Sequence, residues 1–162
     1  MTVVDRPPGA SCDRATAVLE GLAGWVPPRR VTNAELPAAW GVDDAWVRRR
    51  TGIATRHWAA EGLRTGDLAF EAARRVLAEL DGPEPDTVLV ATSTPDRPMP
   101  AMAPHLAARL GLGQVAAWDV AAACSGFGYG LATATGALAA GCARRVLLVA
   151  AEVYSTLVDP AD

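Results

Sequence analysis

The sequence contains no lysine; all 15 basic residues are arginine. Histidine occurs only twice, as His57 and His105, so few side chains can move protons near neutral pH. The formal charge of −3 gives no electrostatic ground for nucleic-acid binding. The three cysteines, Cys12, Cys124 and Cys142, are odd in number and irregularly spaced, and no CxxC pair is present. A disulfide framework and a zinc site are therefore not expected, and a reducing cytoplasm is the simplest compartment. The first 15 residues include Pro7, Pro8 and Gly9 and lack the apolar run of a secretion signal; they read as a loose leader. Charge is also missing between Val120 and Ala143, a stretch long enough to cross a bilayer. That stretch is built mostly from Ala, Gly, Ser and Thr, which gain little from lipid, so it reads as a helix packed against protein and not as a membrane span.

Apolar runs and turn residues alternate along the chain. Residues 16–26 read as a first strand ended by Pro27 and Pro28. Thr32 and Asn33, followed by Glu35, predict a short capped helix, and Asp43-Asp44 caps another that runs to Gly52. Residues 53–58 suit a short extended segment. Leu68, Ala72, Val76 and Leu80 recur every four residues, which predicts a helix over 65–80. TVLVAT (87–92), VAAWDV (115–120) and RVLLVAA (145–151) read as buried strands, with helices over 101–110 and 124–141. Strands alternating with helices predict an α/β layer whose sheet is covered on both faces.

Cys124 lies in DVAAACSGFGYG, where a strand gives way to a helix. A thiol there lies near the positive end of a helix dipole and near unpaired N–H groups, an arrangement that favours the nucleophilic thiolate. Gly126, Gly128 and Gly130 leave room for substrate, while Phe127, Leu131, Ala134 and Leu138 give the helix a core side. An unreactive buried thiol is the alternative. Ser125 lacks the GxSxG elbow of a serine nucleophile.

VTNAEL (31–36), DDAWVRRRTGI (43–53), DVAAACSGF (119–127) and AEVYSTLVDPAD (151–162) occur in an order that resembles the ketoacyl-acyl-carrier-protein synthase III family. The likeness runs from about Ala17 to Asp162. It implies an α/β, thiolase-like fold, represented by its N-terminal half over residues 16–162: a mixed sheet covered by helices, a buried nucleophile helix, and an end before the last strand of that half. It implies acyl transfer from acyl-CoA to Cys124, then condensation with malonyl-acyl-carrier-protein in the complete enzyme, for fatty-acid or polyketide initiation. No cofactor or metal is implied; the acyl carrier protein and acyl-CoA are the partners.

Trp46 and Arg50, with Thr51 in the same block, match positions that hold CoA, by stacking and by charge. On residue type alone, Trp46 packs its helix and Arg48 to Arg50 form a solvated face. Met99 matches a position that lines the acyl pocket across a homodimer, formed along strand 115–120; on residue type it is a flexible core filler. Thr156 stands where the family often has arginine, which weakens the expected CoA contact. The family's catalytic His and Asn belong to a second half. His57 and His105 do not match them and read as structural or surface residues. Two further readings are an acyltransferase without condensation and a non-catalytic half-enzyme that needs a C-terminal partner.

Overall fold

The computed structural model describes residues 17–158; the predicted leader and Cys12 lie outside the described residues, as do Asp159–Asp162. The centre is a three-stranded parallel sheet of β3 (Thr87–Ala91), β4 (Ala116–Val120) and β5 (Val146–Ala150), in the order β4-β3-β5. Leu89 aligns with Trp118 on one side and with Leu148 on the other. Every residue of β3 is buried, which is why its sequence is a continuous apolar run and not an alternating one.

Parallel strands require crossover helices. Helix α3 (Met102–Arg109) joins β3 to β4, and α4 (Gly126–Ala139) joins β4 to β5. Helix α2 (Thr65–Ala78) packs with α3: Ala69, Ala73, Ala103 and Leu106 cluster with Val88, Val90, Leu147 and Val149 on one sheet face. Helix α4 lies on the other. The smaller unit is an antiparallel pair, β1 (Arg30–Thr32) and β2 (Thr55–His57), with helix α1 (Asp44–Thr51) between them in sequence. Parallel and antiparallel pairings both occur, but in separate sheets.

The predicted caps are present. The N–H and hydroxyl of Thr32 both donate to Glu35, at 2.8 and 2.6 Å. Asp43 accepts from the Trp46 N–H at 2.6 Å, and Gly52 ends α1 in the left-handed region at φ +72.

Two expectations are corrected. Residues 17–26 do not form a strand and make no backbone–backbone hydrogen bond among the described residues. They are held instead by side chains: Glu20 pairs with Arg145 at 2.7 Å, and Gly21 sits against Leu80 and Val76. A strand exists only where a neighbour completes its ladder. Among the described residues β5 has no strand on its outer edge, and one cleft is lined by Leu19, Gly21, Leu22 and Ala23 of this segment and by Leu147–Ala150 of β5. The second correction concerns α4. Its buried residues are Gly126, Gly130 and Ala134; Ala134 lies on the expected core side and Leu138 is half-buried, but Phe127 and Leu131 are 44% and 41% exposed, so the helix is packed along one stripe and is not the buried nucleophile helix expected. A Cβ at Gly130 would come within 2.6 Å of Leu148, so only glycine lets the helix backbone approach β5 this closely.

Candidate functional site

In a parallel sheet the carboxyl ends of all strands open on one edge, where α/β proteins place their sites. Three connections meet at that edge. The Pro-rich segment carrying Met99 follows β3, the turn carrying Cys124 follows β4, and Glu152 follows β5.

Cys124 occupies the middle of a single 3-10 turn, Ala123–Ser125, closed by the Ser125 N–H donating to Ala122 O at 3.0 Å. Ala123 has φ +43, a left-handed conformation that L-residues seldom adopt. The turn brings the chain from β4 into α4 within a few residues and leaves the thiol exposed. The Ser125 side chain makes no capping bond, and the Gly126 N–H that opens α4 donates to Ala123 O, so the turn and the helix run on as one hydrogen-bonded unit with Cys124 at its start. The predicted helix start at Cys124 thus falls two residues later, at Gly126.

The other predicted residues do not gather at the thiol. On α1, Arg50 stacks its guanidinium over the Trp46 ring, 5.2 Å from its centroid, and Trp46 is 40% exposed. This pair presents a flat aromatic face and a cation together, the chemistry a purine nucleotide needs. Thr51 is committed to the end of α1: its hydroxyl donates to Val47 O at 2.8 Å and accepts from the Ile53 N–H at 3.1 Å. Met99 is 83% exposed. His57 donates from Nδ1 to Pro27 O at 2.6 Å, a structural role, and His105 is on the surface of α3.

A cavity of about 740 Å³ lies elsewhere, between α1, the 23–27 segment and residues 150–158, with Trp25, Trp40, Trp58 and Tyr154 in its wall. Thr51 lines it; Cys124, Trp46 and Arg50 do not. Arg56 also lines it: Nη2 donates to Asn33 Oδ1, while Nη1 is buried with no partner among the described residues. Asn33 in turn donates to Asp44 Oδ1 at 2.8 Å and Ile53 O at 2.9 Å, tying β1 to both ends of α1. Asp44 therefore lies below the usual carboxylate range, held there by Asn33 and then Arg48.

Sequence reasoning missed Asn33 and Glu152. A carboxylate two residues after the apolar strand β5, which is buried only at Leu147 and Val149 and not throughout as expected, was the available signal for Glu152. No metal-holding cluster of His, Cys, Asp or Glu occurs among the described residues, and no described helix is long and apolar enough to cross a membrane.

Residues 118–162, which include Cys124, match the family described as 3-oxoacyl-[acyl-carrier-protein (ACP)] synthase III. A beta-ketoacyl-[acyl-carrier-protein] synthase III of Streptomyces coelicolor is 55% identical over 148 residues, covering 90% of this chain and 44% of that protein. The Rhodospirillum rubrum synthase III is 44% identical, covering 90% and 46%. Among solved structures, 3-oxoacyl-(acyl carrier protein) synthase III from Pseudomonas aeruginosa superposes with a TM-score of 0.81 at 43% identity, over 88% of this chain and 45% of its own. The priming β-ketosynthase of the R1128 polyketide pathway gives 0.83 at 32% identity, over 96% and 47%. The chain spans about half the length of the relatives it matches, and its fold is the thiolase-like one expected.

Proposed function

We propose, for a chain that belongs to the 3-oxoacyl-[acyl-carrier-protein] synthase III family and corresponds to its N-terminal part, that Cys124 is the nucleophile that accepts an acyl group from a thioester donor. The observation that carries this reading is the exposed thiol on a tight turn between β4 and the uncapped start of α4. The Cys124 thiolate attacks the thioester carbonyl of an acyl-CoA. The new bond is Cys124 Sγ to acyl carbon; the bond to the CoA sulfur breaks, and CoA leaves as thiolate and takes up a proton. The position of Cys124 at the start of α4 puts the attacking sulfur at the positive end of the helix dipole.

Trp46 and Arg50 offer the nucleotide end of CoA a stacking face and a cation, with Thr51 setting the end of their helix. Met99 reaches outward from the rim, where a second subunit's acyl pocket would take it. The acyl group then passes to malonyl-acyl-carrier-protein in the complete enzyme, with acid–base groups contributed by the polypeptide that the relatives have beyond the matched span. Fatty-acid or polyketide initiation in the cytoplasm is the setting this reading implies.

A second reading, a half-enzyme that works only with a complementary polypeptide, is favoured by the edge of β5, which has no further strand among the described residues, beside the 17–26 segment, which has no ladder partner among them. Incubation with acetyl-CoA and intact-mass analysis separates them. A single acetyl adduct mapped to Cys124, and absent in Cys124→Ala, supports acyl transfer by this chain. Absence of any adduct until a C-terminal half is added supports the second reading.

A further inference from the structure

We propose that Glu152 is a positioning residue for acyl transfer: its carboxylate locks the Met99-bearing segment after β3 to the end of β5, and so fixes the wall that Met99 contributes to the acyl-donor path of a second subunit. This rests on the acyl-transfer reading above.

The geometry is a clamp with both carboxylate oxygens engaged. Oε1 accepts from the Ser93 N–H at 2.7 Å. Oε2 accepts from the Thr94 hydroxyl at 2.7 Å and from the Thr92 hydroxyl at 3.4 Å. The Thr94 hydroxyl oxygen also accepts from the Val153 N–H at 3.0 Å, beside Glu152. The hydroxyl of Thr65, at the start of α2, donates to Thr94 O at 2.5 Å, and Thr65 is buried. The end of β5 and the start of α2 thus converge on Thr92, Ser93 and Thr94 of one connection.

The next segment has little else to hold it. From Pro95 to Pro100, Asp96 makes the only hydrogen bonds among the described residues: it accepts from the Gly66 N–H at 3.0 Å, and its own N–H faces Met102 Sδ at 3.4 Å. Glu152 therefore sets the β3 side of the root from which Met99 projects, while Asp119 holds the α3 side through Met102 and Ala103. The same root touches the nucleophile's strand, because the Thr92 N–H donates to Val120 O at 3.1 Å, at the end of β4 just before the Cys124 turn. A carboxylate whose oxygens are occupied by protein donors acts as a fixed acceptor, and hydrogen bonds to a charged group are among the stronger ones.

A clamp of this kind affects the donor's path and not the thiol itself. The test compares wild type, Glu152→Gln and Glu152→Ala in two reactions at Cys124, read by intact mass: acylation by acetyl-CoA and octanoyl-CoA, and alkylation by iodoacetamide. Glu152→Ala is expected to slow acylation about tenfold and to blunt the discrimination between the two donors, with alkylation within about twofold of wild type. Glu152→Gln keeps an oxygen for Ser93 and an amide group that Thr94 can accept from, so it recovers most of the acylation rate. Equal loss of acylation and alkylation together with a fall in Tm would mean a purely structural role and overturns the proposal, as does unchanged acylation. If wild type itself forms no acyl adduct, the acyl-transfer reading falls on its own. Amide exchange then decides the clamp: faster exchange over 93–100 and 121–125 in Glu152→Ala supports it, and unchanged exchange overturns it.

Discussion

The Asp119 carboxylate caps a helix that precedes its own strand: it accepts from the Met102 N–H at 2.7 Å and from the Ala103 N–H at 2.8 Å. Helix α3 has no cap of its own at Ala101, so the charge that ends an otherwise apolar β4 is turned inward to satisfy two unpaired donors. Asp119→Ala is expected to destabilise the fold by about 1–2 kcal/mol, and Asp119→Asn by less, since one oxygen remains. Urea denaturation of the three proteins checks the order; equal stability of Asp119→Ala and wild type contradicts it.

Asp86 plays a comparable part at the other end of the sheet. Burial raises its carboxyl, but the N–H groups of Arg144 and Arg145, the Thr87 hydroxyl and the Arg144 charge outweigh burial and hold it below its ordinary 3.8. A carboxyl lowered in the folded state contributes stability above its unfolded value, and that contribution is lost as pH falls through the folded value. Asp86→Asn should therefore be less stable than wild type at pH 7, with the difference shrinking below about pH 3.8. A constant difference between pH 7 and pH 2.5 would argue that the ionised form is not what matters.

Cys124 and Cys142 sit at opposite ends of α4 and are both exposed. Cys142 follows the helix, its N–H bonded to Ala137 O at 2.9 Å, near carbonyl groups that disfavour negative charge. Iodoacetamide should label Cys124 roughly 3- to 30-fold faster than Cys142, from about 0.3–1 kcal/mol at each helix end. Peptide mapping after brief exposure gives the ratio; equal labelling removes the case for an activated thiol. Cys12 should also label more slowly than Cys124.

The Trp46–Arg50 stack gives a separate handle on the donor. Trp46→Ala should weaken CoA binding by about tenfold, from about 0.5–1.5 kcal/mol of aromatic stacking plus lost contact area. Calorimetric titration with CoA measures it, and Arg50→Ala should give a smaller loss that shrinks with added salt. Unchanged affinity in both variants would place the nucleotide elsewhere.

Among the described residues neither edge of the central sheet carries a further strand: not β4, with Trp118 37% exposed, nor β5 beside residues 17–26. Open edges with apolar side chains promote pairing with another chain. Sedimentation at micromolar concentration should show a dimer or larger species, and amides of 17–26 should exchange far faster than those of β3. A sharp monomer with cooperative unfolding is the contrary outcome.

Much of this was legible from local sequence. The caps at Thr32 and Asp43, the stop at Gly52, the period of α2 and the apolar run of β3 each follow from residues within one turn or one strand. The Cys124 position was legible too, because a strand end and a helix start bracket it in the sequence. Three features needed the folded chain. The α4 stripe of Gly126, Gly130 and Ala134 is chosen by Leu148 and Ala91, which the helix pattern does not contain. The strand expected at 16–26 depends on a ladder partner, and none is present among the described residues. The Glu152 clamp joins residues about sixty positions apart, and the Asp119 cap joins residues seventeen apart. Periodicity and capping are short-range properties carried by neighbouring residues, whereas close packing and the pairing of buried polar groups are set by which distant segments meet.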